Sequence, residues 1–355
     1  MARVTDWLDR FQQRHRWAGF PLAVAYKFAE DQGPYLSALI TYYGFLSLFP
    51  LLLLLASILG FVLQGNPDLQ QRILDSALSQ FPVIGDELND PQSLSGNGAA
   101  VVVGGIVAVY GALGFAQALQ NALNVAWSVP RHRRPNPIMA RLRSLLLIGT
   151  AGIAVLVTTV LSVLAARFDT NGSLFNTWLT LPVTVIAVLI NSAIFTLAFR
   201  ISTATDLSRR DVMPGAIAAA IFWQLLQLFG TAYVSNVVSD SGGTYGVFAV
   251  VLGLLAWIYL AAVGVVVSVE INVVRSKRLY PRSLLTPFTD NVDLTRADQR
   301  VYTDAAEAQT HKGFESVDVS FDHDGQNASA QKDAKATTAR RPPDDEDDVK
   351  SSTER

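Results

Sequence analysis

Six stretches of the chain, residues 36–63, 99–123, 142–166, 178–199, 212–235 and 245–271, run for twenty residues or more with no Asp, Glu, Lys or Arg away from their ends. A helix needs about 20 apolar residues to cross the hydrocarbon of a bilayer. No water competes for backbone groups there, so the crossing element must satisfy its own amides and carbonyls. The pattern predicts an all-α polytopic membrane protein with six transmembrane helices. One detail agrees with that solvent. Pro50 interrupts "YYGFLSLFPLLLLLASILGF", where it removes an amide donor and crowds the carbonyl of Leu46. Span one is expected to bend there, either as a hinge or as a fixed shape, with Ser47 placed to occupy the freed carbonyls.

The charges say where the ends lie. Half of the residues are hydrophobic and only 16% are charged, against about a quarter in a soluble domain. Residues 283–355 hold 16 acidic and 9 basic side chains, so a net charge of −2 conceals a basic body and an acidic tail. Seventeen of the body's Lys and Arg fall on the N-terminal arm, the second and fourth connections and the segment after the last span. Only Arg72 and Arg167 fall on the other side. The positive-inside rule then predicts a multi-pass protein of the cell membrane with both termini cytoplasmic.

Three parts follow: a cytoplasmic amphipathic arm (1–34), the six-helix domain (35–282) and an acidic, largely disordered cytoplasmic tail (283–355). In the arm, Val4, Trp7, Leu8 and Phe11 form an apolar stripe opposite Arg3, Arg10 and Arg14, as in an interfacial helix on anionic lipid. An ordinary amphipathic helix packed on a partner loop would show the same stripe. Residues 69–81 carry a second one. The tail is too polar to offset the entropy of ordering it, apart from a helix expected over residues 296–309 with Thr295 as N-cap and Asp298 three residues on.

Polar residues within spans are costly unless they face protein or water. Gln117, Asn121 and Asn124 share one face of span two, and Gln224, Gln227, Thr231 and Ser235 line span five. Arg200 ends span four, Glu270 is the carboxylate of the last span, and Tyr42 and Tyr43 lie near the inner end of span one. With the termini cytoplasmic, Tyr42, Tyr43, Asn121, Asn124, Arg200 and Glu270 fall in the cytoplasmic half, with Glu270 and Arg200 able to neutralise each other. Two readings fit: interhelical hydrogen bonds of ~0.6 kcal/mol each, or a cytoplasm-facing polar cavity formed by Tyr42, Tyr43, Asn121, Asn124, Arg200, Gln224 and Glu270. Pro50 is the candidate hinge beside it. Gly104, Gly111 and Gly114 in span two permit close helix contact.

With no cysteine, thiol catalysis and thiolate metal sites are excluded. No phosphate-binding glycine loop is present, and the four histidines are scattered, so neither a cofactor nor catalytic machinery is expected.

Four ordered segments, "SALITYYGFLSLFPLLLLLASILGF", "YGALGFAQALQNALNVAWSVPRHRRP", "RRDVMPGAIAAAIFWQLLQLFGTAYVSNV" and "YGVFAVVLGLLAWIYLAAVGVVVSVEIN", together resemble the YihY/virulence factor BrkB family of bacterial inner-membrane proteins. The likeness covers Tyr43, Ser47, Pro50, Asn121, Asn124, Trp127, Pro214, Gly215, Tyr245, Gly246, Trp257, Glu270 and Asn272. It implies an envelope-related or lipid-related transport role. The family's former label, ribonuclease BN, implies RNA cleavage, which these residues do not support because they assemble no base or metal site.

The expected function is a transporter or lipid-handling membrane protein. The alternative is a non-catalytic scaffold that recruits cytosolic partners through its tail and basic loops. Membrane lipids are the expected partners, together with a homodimer and a cytosolic partner of the tail. No specific nucleic acid is expected.

Overall fold

The computed structural model describes residues 2–62, 98–168, 175–233, 244–289 and 292–321. These residues form nine α-helices: α1 (Ala2–Arg14), α2 (Arg16–Glu30), α3 (Gly33–Val62), α4 (Gly98–Ala126), α5 (Pro137–Phe168), α6 (Phe175–Ser202), α7 (Arg209–Tyr233), α8 (Thr244–Ser276) and α9 (Arg296–Glu307). No strand occurs among the described residues, as the hydropathy pattern requires. Among the described residues, four segments are long and apolar enough to cross a membrane: Gly105–Ala126, Val185–Ser202, Arg209–Gly230 and Val251–Ser276. The expected spans 36–63 and 142–166 coincide with α3 and α5, whose far halves have side chains outside the described set. The stripe at residues 69–81 and the chain beyond residue 321 also lie outside it.

α3 continues as helix through Pro50. The Ser47 hydroxyl donates to the carbonyl of Gly44 at 3.0 Å, so it does not take up the Leu46 carbonyl as expected. α4 packs on α3 and α5, while α8 packs on α7, α3 and α2. Close approach between helices depends on residues without side chains. A Cβ at Gly114 would lie 2.3 Å from the Tyr43 ring, and one at Gly215 would lie 2.0 Å from the Ser268 carbonyl oxygen. Packing of this kind drives helix association where lipid removes the hydrophobic incentive.

The basic segments gather at one end of the bundle. α4 and α8 stop in left-handed residues, Ser128 (φ 52°) and Arg278 (φ 54°). Val129 N–H then reaches back to the Asn124 carbonyl and Leu279 N–H to that of Val274, which satisfies carbonyls left open at the helix ends. Chain emerging from both helices therefore folds across the same end. Lys277 Nζ donates to the Trp127 carbonyl at 3.0 Å, and Arg275 Nη1 to that of Arg210 at 3.3 Å.

The polar side of α1 is tied to this end. Leu284 N–H donates to Asp9 Oδ1 at 2.8 Å, and the Gln12 amide donates to the Arg282 carbonyl. Trp7 and Trp17 stand exposed beside it, as aromatic side chains do where hydrocarbon meets water.

The helix expected over residues 296–309 is present as α9, and it is docked on the bundle. Residues 295–310 pack on the basic end, and α9 begins with a capping box in which Thr295 and Asp298 bond reciprocally. Arg282, fully buried, clasps Glu30 through both terminal nitrogens at 3.0 and 2.6 Å and Asp298 through Nε. Lys277 reaches Asp304 at 2.8 Å and Arg131 reaches Gln309 at 2.9 Å. Composition does not show where that helix docks, because it counts charges without their partners. Here the acids of α9 meet the bases left at the end of the bundle.

Candidate functional site

Two polar centres lie near the basic end, on different helices. The first is the contact of α2 with α8. Glu270 is fully buried, and its carboxyl lies within hydrogen-bonding reach of the Asp31 carboxyl, a contact that needs a proton on one of the two. Its electrostatic neighbours are Lys27 and Asp31, which form an ion pair one helical turn apart at the end of α2, with Glu30 farther out. Lys27 is itself buried, a placement lysine rarely accepts without a partner. Burial raises the Asp31 pKa against the opposing pull of Lys27. One ammonium thus faces two buried carboxyl groups, an arrangement that can bind and release a proton or a cation as its net charge changes.

An apolar groove of about 440 Å³ runs beside this cluster, between Val24 and Phe28 of α2 and Val267 and Ile271 of α8. Farther along α8, Asn272 accepts from the Gly215 amide at 2.6 Å, which fixes the close crossing of α7 and α8.

The second centre is a polar cavity of about 490 Å³ where α5 and α6 meet the loop after α6. Arg143, Arg200, Thr203, Thr205 and Asp206 contribute its polar lining. Asn124 stands behind it and accepts from the Ala204 amide at 2.8 Å, pinning the loop to α4. Arg200 is held by its Nε, which donates to the Leu207 carbonyl at 3.1 Å.

The residues expected to share one cavity are therefore divided. Glu270 belongs with Lys27 and Asp31, and Arg200 with Arg143; no ion pair joins Glu270 to Arg200. Asn124 supports the polar cavity from behind. Asn121 is exposed and accepts from Arg134 at 3.3 Å. Tyr43 packs in the core against Gly114, with the exposed ring of Tyr42 edge-on to it at 5.1 Å. Gln224 is half-buried midway along α7. Pro50 lies within α3, with its side chain outside the described set.

The amides of span two also divide differently. Gln117 is exposed, whereas Gln120 is buried and donates to Ser144 at 2.8 Å across the α4–α5 contact. Lys27, Asp31 and Arg143 were missed because the first two precede a span and the third reads as an ordinary flanking charge. The available signal was "YKFAED", in which a Lys–Asp pair at i, i+4 is set in apolar surroundings. Among the described residues, no three His, Asp or Glu side chains are grouped to hold a metal ion.

The family model described as Virulence factor BrkB matches residues 24–291, a stretch that contains both centres. A Bacillus subtilis (strain 168) protein named "Putative ribonuclease-like protein YfkH" is 28% identical over 260 residues, which is 71% of this chain and 93% of that protein. A Dickeya dadantii (strain 3937) protein, named only as uncharacterized, is 24% identical over 276 residues, 73% of this chain and 83% of its own length. No solved structure matches the chain.

Proposed function

This chain belongs to the Virulence factor BrkB family, and from that premise we propose that it is a transporter of the cell membrane, with both termini cytoplasmic, working through the buried ionisable cluster of Glu270, Lys27 and Asp31. The observation that carries the reading is Glu270 itself. A carboxyl on a membrane helix, wholly buried and set against a second carboxyl, is expensive to keep. Structural packing alone would be served better by an apolar side chain of similar volume. The neighbouring ammonium and second carboxyl supply what an ion-coupled cycle uses: a charge that can be exchanged and two groups that respond to the exchange. The apolar groove alongside gives an amphiphilic substrate a path along the same helices, which keeps lipid handling within this proposal.

A transporter must open its buried centre to water at some stage of its cycle. The chain contains no cysteine, so single introduced thiols report on this directly. Glu270→Cys in native membranes is expected to react with a membrane-impermeant maleimide. Its rate will fall between those of exposed Asn121→Cys and buried Ala262→Cys. Protection of Glu270→Cys equal to that of Ala262→Cys would defeat the proposal.

The scaffold reading draws support from one feature. α9 fixes the start of the acidic segment against the basic end, where a cytosolic partner would meet it. Removal of residues 322–355 tests this: loss of complementation with the bundle intact favours the scaffold, and full complementation favours the bundle.

A further inference from the structure

The cavity between α5 and α6 is lined by two arginines, Arg143 and Arg200. Arg143 is half-buried, and its Nη1 is sealed from solvent without a hydrogen-bond partner. Arg200 is held by the Leu207 carbonyl through Nε, which fixes the direction of its guanidinium plane. Asp206 lines the same cavity but forms no ion pair with either arginine.

Arginines flanking a membrane helix ordinarily extend along its surface so that the head group stays in water. Arg143 departs from this at one atom: its Nη1 lies inside the protein, away from solvent, although the residue as a whole is half-buried. Two like charges sharing one cavity repel each other, and a guanidinium's planar set of donors matches the oxygens of a phosphate group in pairs. The Thr205 hydroxyl is a further donor at the rim.

The position of the cavity narrows the ligand. Leu142, Leu145 and Leu146 on α5 and Leu197 on α6 are exposed next to it, as side chains facing acyl chains would be. The cavity thus opens at the level where hydrocarbon gives way to head groups. We propose that Arg143 and Arg200 form a binding site for a phosphate-bearing anion, with the Asn124–Ala204 hydrogen bond as its structural support. The phosphate arrives on an anionic phospholipid head group or on a soluble phosphorylated species. This site shares no residue with the Glu270 cluster and stands or falls independently of it.

The test uses the full chain in nanodiscs and two probes. In one arm, phosphatidylglycerol is raised from zero in a phosphatidylcholine background, and retained lipid is counted by native mass spectrometry. In the other, inorganic phosphate is titrated into discs of phosphatidylcholine alone, and the protein's tryptophan fluorescence is followed. Saturable binding is expected in at least one arm, weakened about tenfold or more in Arg143→Gln and Arg200→Gln, the scale of losing a charged hydrogen bond. Exposed Arg141→Gln is expected to match the wild type. Lipid binding with no phosphate response identifies the head-group source, and the reverse identifies a soluble anion.

If neither arm saturates, the site does not exist. If Arg141→Gln weakens binding as much as Arg143→Gln, the attraction is the diffuse charge of the rim and the proposal fails. Should the glutamine variants not fold, Arg143→Lys decides. It keeps the charge but loses the paired geometry, so weaker binding supports the site and unchanged binding overturns it.

Discussion

Replacing Arg282 with methionine will detach α9 from the basic end while leaving the membrane helices in place. Arg282 is fully buried and makes three hydrogen bonds to two carboxylates, two to Glu30 and one to Asp298. These neighbours raise its pKa even though burial pulls the other way. Methionine matches much of the volume but leaves Asp298, whose side chain is 0% exposed, without its counter-charge, with only the Ser283 and Thr295 donors remaining. Removing one partner of a buried pair costs about 3–5 kcal/mol. Since 1.36 kcal/mol is tenfold in an equilibrium, the open population of α9 will rise by roughly 10²-fold or more.

A 12-residue helix has little stability of its own, so this opening will expose its amides. Hydrogen exchange followed by mass spectrometry on peptides covering residues 296–307 measures it. Glu30→Gln is the calibrating variant. Glu30 keeps 25% of its side-chain exposure, and glutamine still accepts one bond, so a loss of about 1 kcal/mol and a roughly fivefold change are expected. The reasoning is refuted if Arg282→Met leaves α9 exchange within about threefold of the wild type. It is also refuted if Glu30→Gln has as large an effect.

Three further outcomes follow from the same geometry. Gly215→Ala will lower the melting temperature in detergent by several degrees, because its Cβ would meet the Ser268 carbonyl oxygen at 2.0 Å. Gly149→Ala, with nothing within 4 Å, will be neutral or stabilising by up to about 1 kcal/mol; equal effects would remove the case for a tight α7–α8 crossing. Asn124→Ala leaves the Ala204 amide without its partner, a cost of about 1–3 kcal/mol, and will speed exchange at residues 203–207. Finally, burial raises the Asp31 pKa above 3.8, so the folded chain holds that proton more tightly than the unfolded chain. Its contribution is therefore complete in acid and lost as pH rises from about 4 through the raised value. Asp31→Asn will flatten that part of a stability-against-pH curve, and parallel curves for the two proteins would show that burial does not govern the group.

Hydropathy made much of the fold legible. A run of twenty uncharged apolar residues can satisfy its backbone in hydrocarbon only as a helix, so length and composition fixed the element type at 105–126, 185–202, 209–230 and 251–276. Local chemistry was equally readable at Thr295 and Asp298, whose capping box needs only residues three apart. The family resemblance was visible too, because its motifs are local in sequence. The distribution of Lys and Arg marked which connections would gather at one end, as the bonds from Lys277 to Trp127 and from Ala204 to Asn124 show.

Tertiary structure alone decided which polar groups meet. A helix that is apolar all round carries no stripe to mark its buried face, so the sequence could not distinguish Gln117 from Gln120, or assign Glu270 to Lys27 and Asp31 in preference to Arg200. Those pairings depend on how α2, α4, α5, α6 and α8 are rotated and crossed, and close approaches such as that at Gly215 set the geometry. The described part of the acidic segment follows the same physics. Its composition favoured solvent, but Arg282 and Lys277, more than twenty residues upstream of Asp304, offered its acids fixed partners. Whether a charge is paired depends on distance in space, and chain order does not record it.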